Sequence, residues 1–196
     1  LQISFNYTKV NTNQQYRDTL QNKWEEEDVM NTNQVFLGSE ENKRYIMAIT
    51  QAIANAFKKQ LLEADHNFKQ SGGDKFKLAL YTSSASLNST TTAYASGNEV
   101  SNTGTYSAGG GALVNNGTSI GTGTGKGVAI VDFADLSFTS ATITARGALI
   151  YNTSSATTNA AVAVLDFGAD KTSTSGTFTV VFPAFTTSAA ILRISG

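Results

Sequence analysis

The chain reads as α+β: an N-terminal helical segment followed by a mainly antiparallel β-sandwich, either jelly-roll or immunoglobulin-like. Three observations predict this. Residues 126–182, KGVAIVDFADLSFTSATITARGALIYNTSSATTNAAVAVLDFGADKTSTSGTFTVVF, alternate short Val-, Ile-, Phe- and Thr-rich runs with clusters of Gly, Ser, Asn and Asp, the pattern of strands divided by turns. Composition changes sharply near Ser71-Gly72-Gly73: 16 of the 17 glycines lie at or after Gly72, and 20 of the 29 charged residues lie before residue 79. Apolar residues between Glu40 and Phe68 recur at three- and four-residue spacing, as on one face of a helix. A boundary is expected near residue 74, with residues 1–74 as arm and helices for docking or oligomerisation, and 75–196 as the sandwich.

In chain order, Leu1–Asn13 carries alternating Ile3, Phe5 and Tyr7, which suits a strand added to a sheet edge, an arm that orders on a partner, or a loosely held end. It lacks the basic-then-apolar pattern of a signal peptide. Residues 14–31 place Tyr16, Leu20 and Trp24 at four-residue steps, a narrow helical stripe for a partner surface. The run Glu25–Asp28 reads as a solvated face, because successive helical residues diverge and do not converge on one cation. The longest expected helix spans Glu40–Phe68, with Ser39 as N-cap and Gly72-Gly73 as stop. Its stripe of Tyr45, Ile46, Ile49, Ile53, Phe57 and Leu61 needs cover from the sandwich, the first helix or another subunit.

Strands are expected near 76–82, 106–114, 127–133, 141–151, 160–167, 177–182 and 189–194. Runs such as VAIV and VAVL suit strands covered on both faces. Residues 83–105 read as a surface excursion anchored by Leu87, Tyr94 and Val100. Val128–Phe133 echoes Val162–Phe167, as equivalent strands in two sheets would.

The totals exclude several classes. Hydrophobic residues make up 40% of 196 residues, enough for a core. A net charge of −1 makes no electrostatic case for nucleic acid or an anionic membrane. No apolar run reaches the length of a membrane span. Absence of cysteine, with His66 the single histidine, removes thiolate chemistry and leaves no Ser-His or Cys-His arrangement; His66 is expected at the C-terminal end of the long helix, where a cation suits the dipole. Gly121–Gly127 fails the phosphate-loop pattern, which requires Gly where Ile120 stands and Ser or Thr where Gly127 stands. Asp132 with Asp135, and Asp166 with Asp170, invite a Ca²⁺ or glycosidase reading, but Asp at strand ends more often caps turns. Tyr81, Tyr94, Tyr106 and Tyr151 are scattered in sequence rather than clustered as a sugar platform. No catalytic residue, cofactor or metal is expected.

Residues 77–110 (KLALYTSSASLNSTTTAYASGNEVSNTGTYSAGG), 145–151 (ARGALIY), 162–170 (VAVLDFGAD) and 178–184 (FTVVFPA) together resemble virion structural proteins of tailed bacteriophages, of the tail or capsid-accessory type. The resemblance covers about residues 75–196. It implies a non-enzymatic sandwich in a virion assembled in the host cytoplasm, partnered by capsid, neck or tail proteins and by further copies in a trimer or ring. Tyr16, Leu20, Trp24, Ile46, Ile49, Ile53 and Phe57 are the expected interface, and deleting residues 1–70 is expected to abolish assembly while leaving a folded β domain. The alternative is a carbohydrate- or receptor-binding module, with a host-surface glycan as partner and Ca²⁺ as a possible aid.

Overall fold

The computed structural model describes residues 2–5, 48–122 and 126–195; for residues 2–5 only the backbone is described. Tyr16, Leu20, Trp24 and Ile46 therefore lie outside the described residues. Those described form nine strands and one short helix: β1 (Gln2–Phe5), β2 (Ala52–Ile53), α1 (Asn55–Leu62), β3 (Phe76–Tyr81), β4 (Gly111–Ala112), β5 (Asn115–Ile120), β6 (Ala129–Phe133), β7 (Leu136–Asn152), β8 (Ala160–Val180) and β9 (Leu192–Ser195). Two antiparallel sheets result, ordered β1-β9-β6-β5 and β2-β8-β7-β3-β4. This arrangement is compatible with a β-sandwich.

The pairings nest. The first strand lies beside the ninth (Phe5 opposite Leu192), β2 beside β8, β3 beside β7, and β5 beside β6. The opening residues thus extend a sheet of their own chain. A chain of rings links the sheets: Phe68 stacks on Phe76 at 4.6 Å, Phe76 meets Phe133 at 5.5 Å, and Phe133 meets Phe182 at 5.8 Å. Aromatic pairs at these separations add to the area they bury.

The β7–β8 hairpin is the longest element, and its burial changes along its length. From Leu136 to Ala145, Phe138, Ala141, Ile143 and Ala145 are buried, while Thr139, Thr142 and Thr144 are exposed, the period-two pattern of a half-covered sheet. From Gly147 to Asn152, and from Ala160 to Leu165, every residue is buried. A Cβ on Gly147 would come within 2.8 Å of Ile49, so the chain around Ile49 covers this stretch. VAVL therefore matches the doubly covered reading. In VAIV only Ile130 is buried, and Ala129 is exposed.

The helix expected over Glu40–Phe68 is, among its described residues, a bridge at Ile49, the strand β2 and the eight-residue α1. A spacing of four residues is one helical turn and also two strand repeats. Ile49 and Ile53 are therefore consistent with either conformation, and the open edge of β8 takes β2 in register, Ala52 opposite Val164. The helix ends at Leu62 because Ala64 turns left-handed (φ 59°), and the Asp65 N–H returns to the Gln60 carbonyl at 2.9 Å, a Schellman closure. Residues 48–74 belong to the same packed unit as the strands and place Ile49, Ile53, Phe57 and Phe68 in its core. A deletion of residues 1–70 would remove this part of the core along with β1 and β2.

Other differences are local. The strand expected over 106–114 is only Gly111–Ala112, and those expected over 160–167 and 177–182 are one strand, β8. β5, NNGTSI, carries too few apolar residues to signal itself. It is held by β6, with a register shift between Asn115 and Thr118 where Gly117 takes φ 88°, a conformation that favours glycine.

Candidate functional site

The excursion between β3 and β4 folds back on β3 and β7, and Glu99 organises it. The Glu99 carboxylate accepts the Tyr94 hydroxyl at 2.6 Å, the Tyr106 hydroxyl at 2.8 Å and the Gly109 N–H at 2.7 Å. Tyr106 also accepts the Leu80 N–H at 2.9 Å; Tyr81 donates to the Ala95 carbonyl and Tyr151 to the Gly109 carbonyl. The Tyr94 and Tyr151 rings stack at 4.7 Å. Burial pushes the Tyr151 phenol up to about 12, with the Glu99 charge adding to it. Tyr81, Tyr94 and Tyr106 rise still further, burial again being the leading cause.

The four tyrosines that look scattered in sequence are thus gathered around one carboxylate. They point inward: Tyr81, Tyr106 and Tyr151 are 1–3% exposed. Such buried hydroxyls fix loops rather than offer a stacking face to a sugar. Leu87 and Val100 anchor the same excursion by burial, and Tyr94 packs partly buried against the core.

A second polar cluster surrounds His66. Contrary to expectation, this residue stands beyond the end of α1, buried between Phe57 (rings 4.8 Å apart) and Phe68. Its Nε2 lies 3.1 Å from Gln60 Oε1 and its Nδ1 2.9 Å from Asn152 Nδ2. Burial lowers its pKa, opposed by the charges of Asp65 and Asp74. A cavity of about 300 Å³ opens beside it, lined chiefly by Phe57, Leu61, Phe68, Ile130, Leu192 and Ile194.

The carboxylates are engaged separately, although the Asp135 charge acts on Asp132. Asp132, on β6 of the four-stranded sheet, is wholly buried; its Oδ1 accepts the Phe133 N–H, and burial pushes the carboxyl up to about 6. Asp135 accepts the Phe182 N–H at 2.8 Å. Asp166, on β8 of the other sheet, is partly exposed and pairs with Arg146 on β7. The sequence echo thus joins strands of two sheets whose aspartates have different surroundings. Among the described residues no group of three His, Cys, Asp or Glu side chains is placed to hold a metal, and no helix is long and apolar enough to cross a membrane.

Of the expected interface, Ile49, Ile53 and Phe57 are 3%, 7% and 1% exposed within the chain's own core. Sequence reasoning missed Glu99, Asn152 and Asp74. Glu99 and Asn152 signal only as a polar residue beside Ser/Thr-rich or apolar sequence, and Asp74 as one charge among lysines after Gly72-Gly73; none of these names its partners.

No protein-family model, curated protein or solved structure matches this chain.

Proposed function

We propose that the chain is a non-enzymatic structural protein of a tailed-bacteriophage virion, joined to further copies of itself and to capsid, neck or tail proteins. The observation that carries this reading is how the chemically capable side chains are used. Glu99 with its tyrosines, and His66 with Asn152 and Asp74, bind loops to strands inside the molecule. Joints satisfied in this way rigidify a fold, which suits a part that keeps its shape within a particle.

Because Ile49, Ile53 and Phe57 are occupied internally, docking falls to Tyr16, Leu20, Trp24 and Ile46. The test is a triple variant, Tyr16→Ser with Leu20→Ser and Trp24→Ser, compared with the full chain by sedimentation and circular dichroism. Retained β-structure with loss of the larger assembly is expected. A variant that sediments as the same oligomer would remove these residues from the interface.

A further inference from the structure

The Asn152 side chain is fully buried, and its orientation is set by its neighbours. Its Oδ1 accepts two backbone N–H groups, from Ser154 at 2.8 Å and Ser155 at 3.1 Å. Its amide nitrogen must then be the group facing Asp74 Oδ2 at 2.7 Å and His66 Nδ1 at 2.9 Å. An amide nitrogen only donates. His66 Nδ1 must therefore carry a lone pair, and the ring's single hydrogen sits on Nε2, donating to Gln60 Oε1 at 3.1 Å. The geometry requires one protonation state and one tautomer of the imidazole.

This ring stands at the junction of three segments. Gln60 belongs to α1, and Asn152 ends β7 and shapes the turn that follows it. Asp74 accepts the Asn67 N–H at 2.8 Å, closing the loop that carries His66. The turn after β7 is fastened to the same loop by the Ala156 N–H to Asp65 Oδ1 at 2.8 Å and the Lys75 N–H to Ser154 Oγ at 2.9 Å. The charged groups acting on the ring are Asp65 and Asp74; Gln60 and Asn152, from the two packed elements, are neutral.

We propose that His66 is an acid-sensitive latch: neutral, it accepts the Asn152 amide hydrogen and holds the turn at residues 153–157 against residues 65–75; protonated, it lets that turn go. A second ring proton would set N–H against N–H at 2.9 Å. The imidazolium would compete with Asn152 for the Asp74 carboxylate, so Asn152 loses both acceptors' geometry and the turn loses one anchor, keeping the Thr153 bonds to the Lys75 carbonyl as a hinge. The direction of the His66 shift agrees: the folded state favours the neutral ring, and stability falls as pH drops below 6.5.

His66 is the only histidine, so ring nitrogen spectra of the full-length ¹⁵N-labelled chain report it without ambiguity. At about pH 7.5 the Nε2–H tautomer is expected; an Nδ1–H ring would overturn the proposal. Amide hydrogen exchange, corrected for its intrinsic pH dependence, then reads the latch. Protection at Ser154, Ser155 and Ala156 should fall by up to about tenfold for each pH unit as pH drops below 6.5, down to the pH at which the ring takes up its proton in the folded chain, while β8 amides stay protected. In His66→Gln, which keeps a donor and an acceptor without titrating, protection at these amides should no longer change with pH. Protection in the full chain that stays constant through the ring's titration would overturn the proposal, whether or not the variant folds.

Discussion

The Tyr106 hydroxyl donates to the Glu99 carboxylate at 2.8 Å and, on the same oxygen, accepts the N–H of Leu80 near the end of β3 at 2.9 Å. A side chain thus takes the place that a neighbouring strand's carbonyl would occupy, and a carboxylate from the excursion orients it. Tyr106→Phe removes both bonds and leaves the Leu80 N–H buried without an acceptor. It should lower stability by about 1–3 kcal/mol, measured by urea unfolding.

Glu99→Gln keeps the shape but loses the charge that strengthens three hydrogen bonds, and it turns a donor toward one of them. The expected loss is again about 1–3 kcal/mol. Proteolysis should show it as faster cutting within residues 83–105 while the β7–β8 hairpin stays intact.

Asp132 binds its proton more tightly folded than unfolded, because burial raises its carboxyl from 3.8 to about 6. Its contribution to stability is therefore full below pH 3.8 and is lost as pH rises through about 6. Asp132→Asn removes that dependence. Relative to the variant, the wild type should gain stability by up to roughly 3 kcal/mol between about pH 8 and about pH 4. Denaturant midpoints of both proteins across that range measure it; parallel curves would show that Asp132 stays ionised when buried.

Gly147 faces Ile49 and the Leu165 carbonyl so closely that an added Cβ would sit 2.4 Å from that oxygen. Gly147→Ala should cost about 1–3 kcal/mol or more through overpacking, seen as a lower thermal midpoint. The Arg146–Asp166 pair is a contrast, since both side chains are about a quarter exposed. Arg146→Met should change stability by no more than about 1 kcal/mol, and by less in high salt.

Much of the β architecture was legible from residue pattern: apolar runs and glycine clusters mark β3, β6, β7, β8 and β9, since strands covered on one or both faces carry apolar runs bounded by turn residues. Less visible were features whose cause is tertiary. Ile49 and Ile53 carry a spacing common to helix and strand, and the open edge of β8 selects the strand. Tyr94, Tyr106 and Tyr151 meet only because the excursion doubles back to Glu99. His66 has the same sequence context whether it ends a helix as a cation or sits buried as an acceptor. The deciding partner, Asn152, is 86 residues away.

The most direct test of the virion assignment is immunogold labelling of intact and disrupted particles from the source, with antibody raised against the β-structured part of the chain. Label on the particles is the predicted result: spread over the head for a capsid-accessory protein, or confined to one vertex or the tail for a neck or tail component. Particles that carry no label, whether intact or opened, would contradict it.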